Sequence, residues 1–129
     1  MSAYRTATME QIASEKWPYW IPVRHHFGID TFGINVWHGR EDGSLIPEHD
    51  EGDSGVPELY WVVQGHASFT VAGEAIDAPA GTFVWVTDST VARAAQATAD
   101  GTLVLSVSGG APGEAYAPSG WDSHYLESD

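Results

Sequence analysis

Apolar residues alternate with polar ones in short runs along most of the chain, and turn-forming residues separate these runs. The pattern predicts strands over 33–38, 59–63, 66–71, 82–87, 91–97 and 102–108. Gly, Pro and Asp stand between the strands, for example in the turns 72–74 and 99–101. Short strands at intervals of about 8–12 residues indicate an all-β sandwich or barrel. We therefore predict a barrel core over residues 33–108.

The two ends of the chain have a different pattern. Thr8 and Gln11 have the spacing of a capping box, which predicts a short helix over 9–16 that ends before Pro18. Residues 109–129 are rich in Gly, Pro and Ser. We expect them to form a tail that lies over the barrel and is anchored by Tyr116 and Trp121.

Composition excludes several classes of function. With 129 residues the chain has the length of one domain, and 5 Lys+Arg against 18 Asp+Glu give a net charge of −13. Such an acidic protein repels phosphate backbones and anionic lipids, so we expect neither nucleic acid nor a membrane as a partner. The absence of cysteine excludes disulfides, iron–sulfur clusters and a cysteine nucleophile. No signal-like start or long apolar run is visible, so a cytoplasmic location is expected.

The candidate chemistry lies between Gly43 and Gly65. His49 follows Gly43 after five residues, and Glu58 precedes Gly65 by six. Glu51 stands two residues after His49, so in a strand both side chains would point to the same face. The turn-rich residues 52–57 allow Glu58, on the next strand, to return alongside them.

The strand that begins at Glu58 carries apolar residues on both of its faces. Tyr60 and Val62 are expected to share the inner face with Glu58. The outer face, formed by Leu59, Trp61 and Val63, should also be covered, either by the N-terminal segment or by another subunit.

The residues 43–65 resemble the first motif of the cupin superfamily, G-x5-H-x-H-x3,4-E-x6-G. Glu51 stands where that motif has its second His, and the ending ELYWVVQG is similar to the motif's strand and turn. The second cupin motif, which would begin at Gly81, is degenerate. Its usual Pro, Gly, His and Asn are replaced by Thr87, Ser89, Ala92 and Gln96. The resemblance implies an all-β fold, the cupin double-stranded β-helix or jelly-roll barrel. It also implies a homodimer, which would cover the outer face of the strand 59–63.

In cupins the barrel interior binds a metal ion through three His and one Glu. Carried over to this chain, the resemblance implies His49, Glu51 and Glu58 as ligands to a divalent ion (Mn, Fe, Ni, Cu or Zn). Ala92 would leave the fourth ligand position empty. One imidazole with two carboxylates is an oxygen-rich set, which favours the harder ions Mn²⁺ and Fe²⁺.

Two functions follow from this interpretation. The first is a metal-dependent oxygenase or isomerase that acts on a small metabolite, with Glu58 and Tyr60 as catalytic residues. The second is a metal-free cupin, either a ligand-binding or regulatory module or an acid–base isomerase or cyclase. In the metal-free case the pKa values of two neighbouring carboxylates would move apart, and one carboxyl group would stay protonated at neutral pH.

Several other residues are candidates for contact with a small-molecule ligand in the barrel. Trp37 and Trp85 are expected to stack on such a ligand, and Val62 to line the cavity wall. His38, at the end of its strand, would either supply a missing metal ligand or pack at the rim, and we favour the rim.

Overall fold

Two antiparallel β-sheets face each other in the computed structural model, which describes residues 3–13, 20–111 and 113–117. The five-stranded sheet has the order β1-β2-β9-β4-β7, and the four-stranded sheet has the order β3-β8-β5-β6. The elements in chain order are α1 (Met9–Ile12), β1 (Trp20–Ile21), α2 (Val23–Phe27), β2 (Gly33–His38), β3 (Ser44–His49), β4 (Glu58–Gln64), β5 (His66–Val71), β6 (Glu74–Pro79), β7 (Phe83–Val86), β8 (Arg93–Ala97) and β9 (Leu103–Ser108). This confirms the predicted all-β jelly-roll class.

The strands that the pattern predicted are present, and those it missed lie at sheet edges. β2 and β5 have the predicted bounds, and β4, β7, β8 and β9 differ from the predicted bounds by one or two residues. The unpredicted strands β1, β3 and β6 each lie at the edge of a sheet. Edge strands tolerate proline and exposed polar side chains, as at Pro47 in β3 and Asp77 in β6, so they lack a clear apolar alternation.

The predicted capping box forms, but the helix that follows is shorter than expected. The Thr8 hydroxyl accepts a hydrogen bond from the Gln11 N–H at 3.2 Å, and the Gln11 side chain accepts from the Thr8 N–H at 2.9 Å. α1 ends at Ile12, because Ala13 has an extended ψ of 139°. The predicted end at Lys16 is therefore wrong, and Lys16 itself lies outside the described residues.

A second short helix, α2, was not predicted. It ends at Phe27, and the following Gly28 adopts a left-handed φ of 68° and donates its N–H to the last turn. Of the helices in the described part of the chain, none is both long and apolar enough to cross a membrane.

The core lies between the two sheets. β4 occupies an inner position of its sheet, paired with β9 on one side and β7 on the other. Its residues Tyr60 and Val62 point inward, as predicted, and pack with Phe69 of the opposite sheet. Burying each apolar side chain of this kind stabilises the fold by about 1.5–3 kcal/mol.

Gly65 makes the sharp turn from β4 in one sheet to β5 in the other. Its φ of 80° is in the left-handed region, and a Cβ atom there would lie 2.6 Å from the Cα of Thr102. Both facts require glycine at the end of the 43–65 motif.

The tail is described as far as residue 117. Tyr116 lies against the start of β2, where a Cβ added to Gly33 would come within 2.8 Å of the Tyr116 hydroxyl. This contact agrees with the predicted anchoring role of Tyr116. The second predicted anchor, Trp121, lies outside the described residues.

Candidate functional site

Five polar side chains meet between the sheets at one end of the barrel. His49 ends β3 and Arg93 begins β8 in the four-stranded sheet, whereas Glu58 and Tyr60 come from β4 in the five-stranded sheet. Glu51 joins them from the loop after β3. Glu51, Glu58 and Arg93 are only 4%, 6% and 1% exposed. Buried charges of this kind need partners, and the residues of the cluster provide them for one another.

A bulge in β3 turns His49 into the cluster. Ile46 pairs with Ala95 and His49 pairs with Arg93, so three steps along β3 match two steps along β8. With regular alternation, His49 would point to the face opposite from Ile46; the extra residue brings it back to the inner side. Pro47, within the bulge, is tolerated because β3 is an edge strand.

Glu51 is positioned by a turn rather than by a strand. Its N–H donates to the Ser89 carbonyl at 2.8 Å, and its carbonyl accepts from the Gly55 N–H at 2.8 Å. The Ser54 hydroxyl lies 3.3 Å from Oε2 of the Glu51 carboxylate. The prediction that His49 and Glu51 share a strand is therefore wrong, although their side chains do meet.

One oxygen of Glu58 is the centre of the cluster. Oε1 accepts hydrogen bonds from the Tyr60 hydroxyl at 2.7 Å and from Nη1 of Arg93 at 2.8 Å. Burial by itself would raise the pKa of Glu58, but the contacts from His49, Tyr60 and Arg93 outweigh burial and lower the pKa. Glu58 is thus ionised at neutral pH, and for this residue the expected protonated carboxyl is not found.

His49 bridges the two carboxylates. Its Nδ1 lies 2.8 Å from the Pro47 carbonyl, which directs Nε2 toward Glu51 Oε1 at 3.4 Å and Glu58 Oε1 at 3.6 Å. Burial by itself would lower the pKa of His49, but the close contacts with the Glu51 and Glu58 carboxylates outweigh it and raise the pKa to about 10. In the metal-free protein the imidazole is therefore a cation at neutral pH.

Tyr60 acts as a hydrogen-bond donor. Burial and the negative charge of Glu58 raise the pKa of the Tyr60 phenol well above its ordinary value of 10.0. The phenol remains protonated at neutral pH and keeps its O–H directed at Glu58.

The donor atoms of His49, Glu51 and Glu58 fit a divalent metal ion. One ligand atom from each lies within 4.8 Å of the others. The distances of 3.4 and 3.6 Å from Nε2 to the two carboxylates match roughly the 3.4 Å between ligands held at about 2.1 Å in tetrahedral geometry. The Nδ1 contact to a backbone carbonyl is the outer hydrogen bond that orients a metal-binding imidazole. A metal and a proton would compete for Nε2.

Sequence reasoning missed Arg93, which takes the inner position that Ala92 was expected to hold. Ala92 is exposed, and Arg93 is the inward residue at this point of the chain. The consequence is a buried guanidinium in the cluster rather than a gap. A signal was present, because Arg93 is the one charged residue in the predicted strand 91–97 and shares a face with Ala95 and Ala97.

Of the three residues predicted to line the ligand site, Trp37 and Val62 lie in the interior and Trp85 does not. Trp37 is buried, but it packs against Trp20 at 5.8 Å and donates to the Ser106 hydroxyl, so it belongs to the core. Val62 is fully buried in the same core. Trp85 is wrongly predicted, because Val84 and Val86 point inward and Trp85 is 56% exposed on the other face.

His38 lies outside the cluster as well. It ends β2, half-buried, on the face opposite to the buried Trp37. This placement agrees with a rim or packing position, and the structure does not bring His38 to His49.

Known structures show the same architecture. A cupin protein from Bacteroides fragilis is 16% identical, with a TM-score of 0.65, and the alignment covers 91% of this chain and 93% of that one. A cupin superfamily protein from Desulfitobacterium hafniense is 20% identical, with a TM-score of 0.54 over 63% of this chain and 69% of that one. An RmlC-like cupin from Desulfovibrio desulfuricans is 21% identical, with a TM-score of 0.51 over 62% and 73%.

Sequence comparison adds no closer relationship. No protein-family profile matches the chain, and no curated protein matches it by sequence. At the identities found, structural likeness shows the fold. The protein is a small cupin-fold domain.

Proposed function

We propose that the protein binds a small molecule inside its barrel, next to a divalent metal ion held by His49, Glu51 and Glu58. The observation that carries this proposal is the convergence of one imidazole nitrogen and two carboxylate oxygens, from the end of β3 with its following loop and from β4, at a buried point between the sheets. Imidazole and carboxylate together suit Mn²⁺ and Fe²⁺, and also Zn²⁺, Ni²⁺ or Cu²⁺.

The other residues of the cluster hold Glu58 in place for this role. Tyr60 and Arg93 both donate to its Oε1, which limits the orientations of the carboxylate. The Pro47 carbonyl does the same for the His49 ring. A bound metal would act as a Lewis acid toward an oxygen atom of the small molecule. The reaction class that we propose is an oxygenase or isomerase step on a small metabolite.

Metal analysis of the purified protein tests this proposal. Protein prepared without chelator should contain close to one divalent ion per chain, and His49→Ala should lose it. His66→Ala is the matched control, because His66 is another half-buried histidine with a carboxylate partner, Asp77 at 2.6 Å, but lies outside the cluster. Equal metal content in wild type and His49→Ala would overturn the proposal. So would the absence of Mn²⁺, Fe²⁺ or Zn²⁺ binding by calorimetry.

A second candidate is metal-free acid–base chemistry in the same pocket. It is favoured by the proton that His49 holds between two carboxylates, since its raised pKa of about 10 keeps a proton donor at neutral pH. In this case metabolites should raise the melting temperature equally with and without chelator, whereas metal ions should leave it unchanged.

For the protein partner we propose a second copy of the chain. The contact would be the outer face, which we define as Leu59, Trp61, Val63, Phe83 and Trp85. Phe83 stacks on Trp61 at 5.5 Å yet is 61% exposed, and β7, which carries it, is the edge strand of its sheet among the residues that the structure describes. Phe83 and Trp85 alone leave roughly 250 Å² uncovered. In a chain of net charge −13, an uncharged face is where two copies can approach without repulsion.

A further inference from the structure

Arg93 is buried with most of its hydrogen-bonding capacity unused. A guanidinium has five N–H donors. Nη1 donates to Glu58 Oε1 at 2.8 Å, and Nη2 makes a long contact of 3.4 Å to the Asp88 carbonyl. Nε is inaccessible to solvent and has no hydrogen-bond partner among the described residues. At least three N–H groups of a charged, fully buried side chain therefore have no acceptor in the described part of the chain.

An unsatisfied buried donor destabilises a fold, and a charged one more so. The cluster is reached from the surface at His49, whose side chain is 20% exposed, while the Arg93 side chain is 0% exposed. A ligand that enters beside His49 thus meets Arg93 deeper in the site. The acceptor that suits a planar guanidinium with adjacent free donors is a carboxylate, which takes two parallel N–H bonds.

We propose that Arg93 receives the carboxylate group of the bound small molecule, so that the ligands of this pocket are small organic monocarboxylates. This inference rests on the proposed small-molecule function of the barrel and names its ligand class. Arg93 helps the site to accommodate an anion, because Glu51 and Glu58 alone would repel it. A phosphate ligand, with close to two negative charges, would meet stronger repulsion from the same two carboxylates.

Matched pairs of probes test this assignment: acetate against acetamide, and benzoate against benzamide. Each pair has nearly the same shape and differs in charge. We expect calorimetry to show that the acid of at least one pair binds about tenfold or more tightly than its amide. In the same titration the ¹⁵N–¹H signal of Arg93 Nε should shift with the acid and stay in place with the amide.

Arg93→Lys is the variant for the test. It keeps a positive charge next to Glu58 but removes the planar pair of donors. A melting curve checks that it is folded, and Arg40→Lys, outside the cluster, is the control. Arg93→Lys should weaken acid binding about tenfold, and Arg40→Lys should leave it unchanged. The wild-type Nε signal tests the proposal even if Arg93→Lys does not fold.

The calorimetric titrations are carried out once with chelator and once with Mn²⁺, and the NMR titration with chelator. Mn²⁺ binding without any preference for acids would overturn the Arg93 assignment and leave the metal proposal standing. Acid binding that persists in chelator would support the assignment and count against a metal requirement. If no acid binds under either condition, or if the amides bind equally well, the assignment is wrong.

Discussion

Removing the charge of Arg93 should lower the free energy of unfolding. The size of this loss depends on the groups that remain around Glu58. Arg93→Met leaves a carboxylate that is 6% exposed without its buried cation. Breaking a buried ion pair from one side costs about 3–5 kcal/mol. Tyr60 still donates to Glu58 at 2.7 Å and His49 lies 3.6 Å away. We therefore expect the free energy of unfolding to fall by about 3 kcal/mol, the low end of that range.

The double variant separates the charge pair from simple packing. Glu58→Gln keeps an oxygen acceptor for Arg93 but removes the charge, and should cost about 2 kcal/mol. Arg93→Met with Glu58→Gln contains neither member of the pair, so its cost should be about 3 kcal/mol rather than the sum. The expected coupling is therefore about 2 kcal/mol, as for directly contacting residues.

Urea unfolding with chelator at pH 7, followed by the fluorescence of the six tryptophans, measures these differences. Arg5→Met is the control, because Arg5 is exposed and its contacts are the carbonyl and ring of Phe27. It should cost less than about 1 kcal/mol. An Arg93→Met variant within about 1 kcal/mol of wild type, or additive costs in the double variant, would refute the charge pair.

Three further predictions concern pH, Tyr60 and assembly. In the metal-free protein, the stabilisation from protonated His49 is complete below its ordinary pKa of 6.5 and is lost as pH rises through about 10. The urea midpoint of wild type relative to His49→Gln should therefore fall between pH 7 and 10.5, and a constant difference would contradict this. In a spectroscopic titration, one of the five tyrosines should stay protonated until the protein unfolds, and this tyrosine should be absent from Tyr60→Phe. The same variant should lose about 1 kcal/mol of unfolding free energy. Five tyrosines that all titrate near pH 10 would argue against the buried phenol. Sedimentation should show a dimer at micromolar concentration that Phe83→Ser with Trp85→Ser converts to a monomer, whereas a monomeric wild type would rule out the outer face as the contact.

The apolar alternation of this sequence was sufficient to predict the inner strands, because each of them packs one face against the core. β2 and β5 could be predicted to the residue. Three of the four edge strands, β1, β3 and β6, were not predicted, since one side of an edge strand faces solvent and accepts residues such as Pro47. The capping box of α1 was readable because its hydrogen bonds join residues three apart. The end of α1 at Ile12 could not be predicted, because no residue within 9–16 marks a helix end at Ala13.

The candidate site divides in the same way. Sequence spacing within the motif pointed to His49, Glu51 and Glu58, and these three do meet. The tertiary structure alone decided that a bulge turns His49 inward and that Arg93, rather than Ala92, faces Glu58. The physical reason is that alternation specifies the two faces of a strand only relative to its own neighbours. Which face becomes the interior, and what lies across from it, depends on pairing between residues that are far apart in the chain.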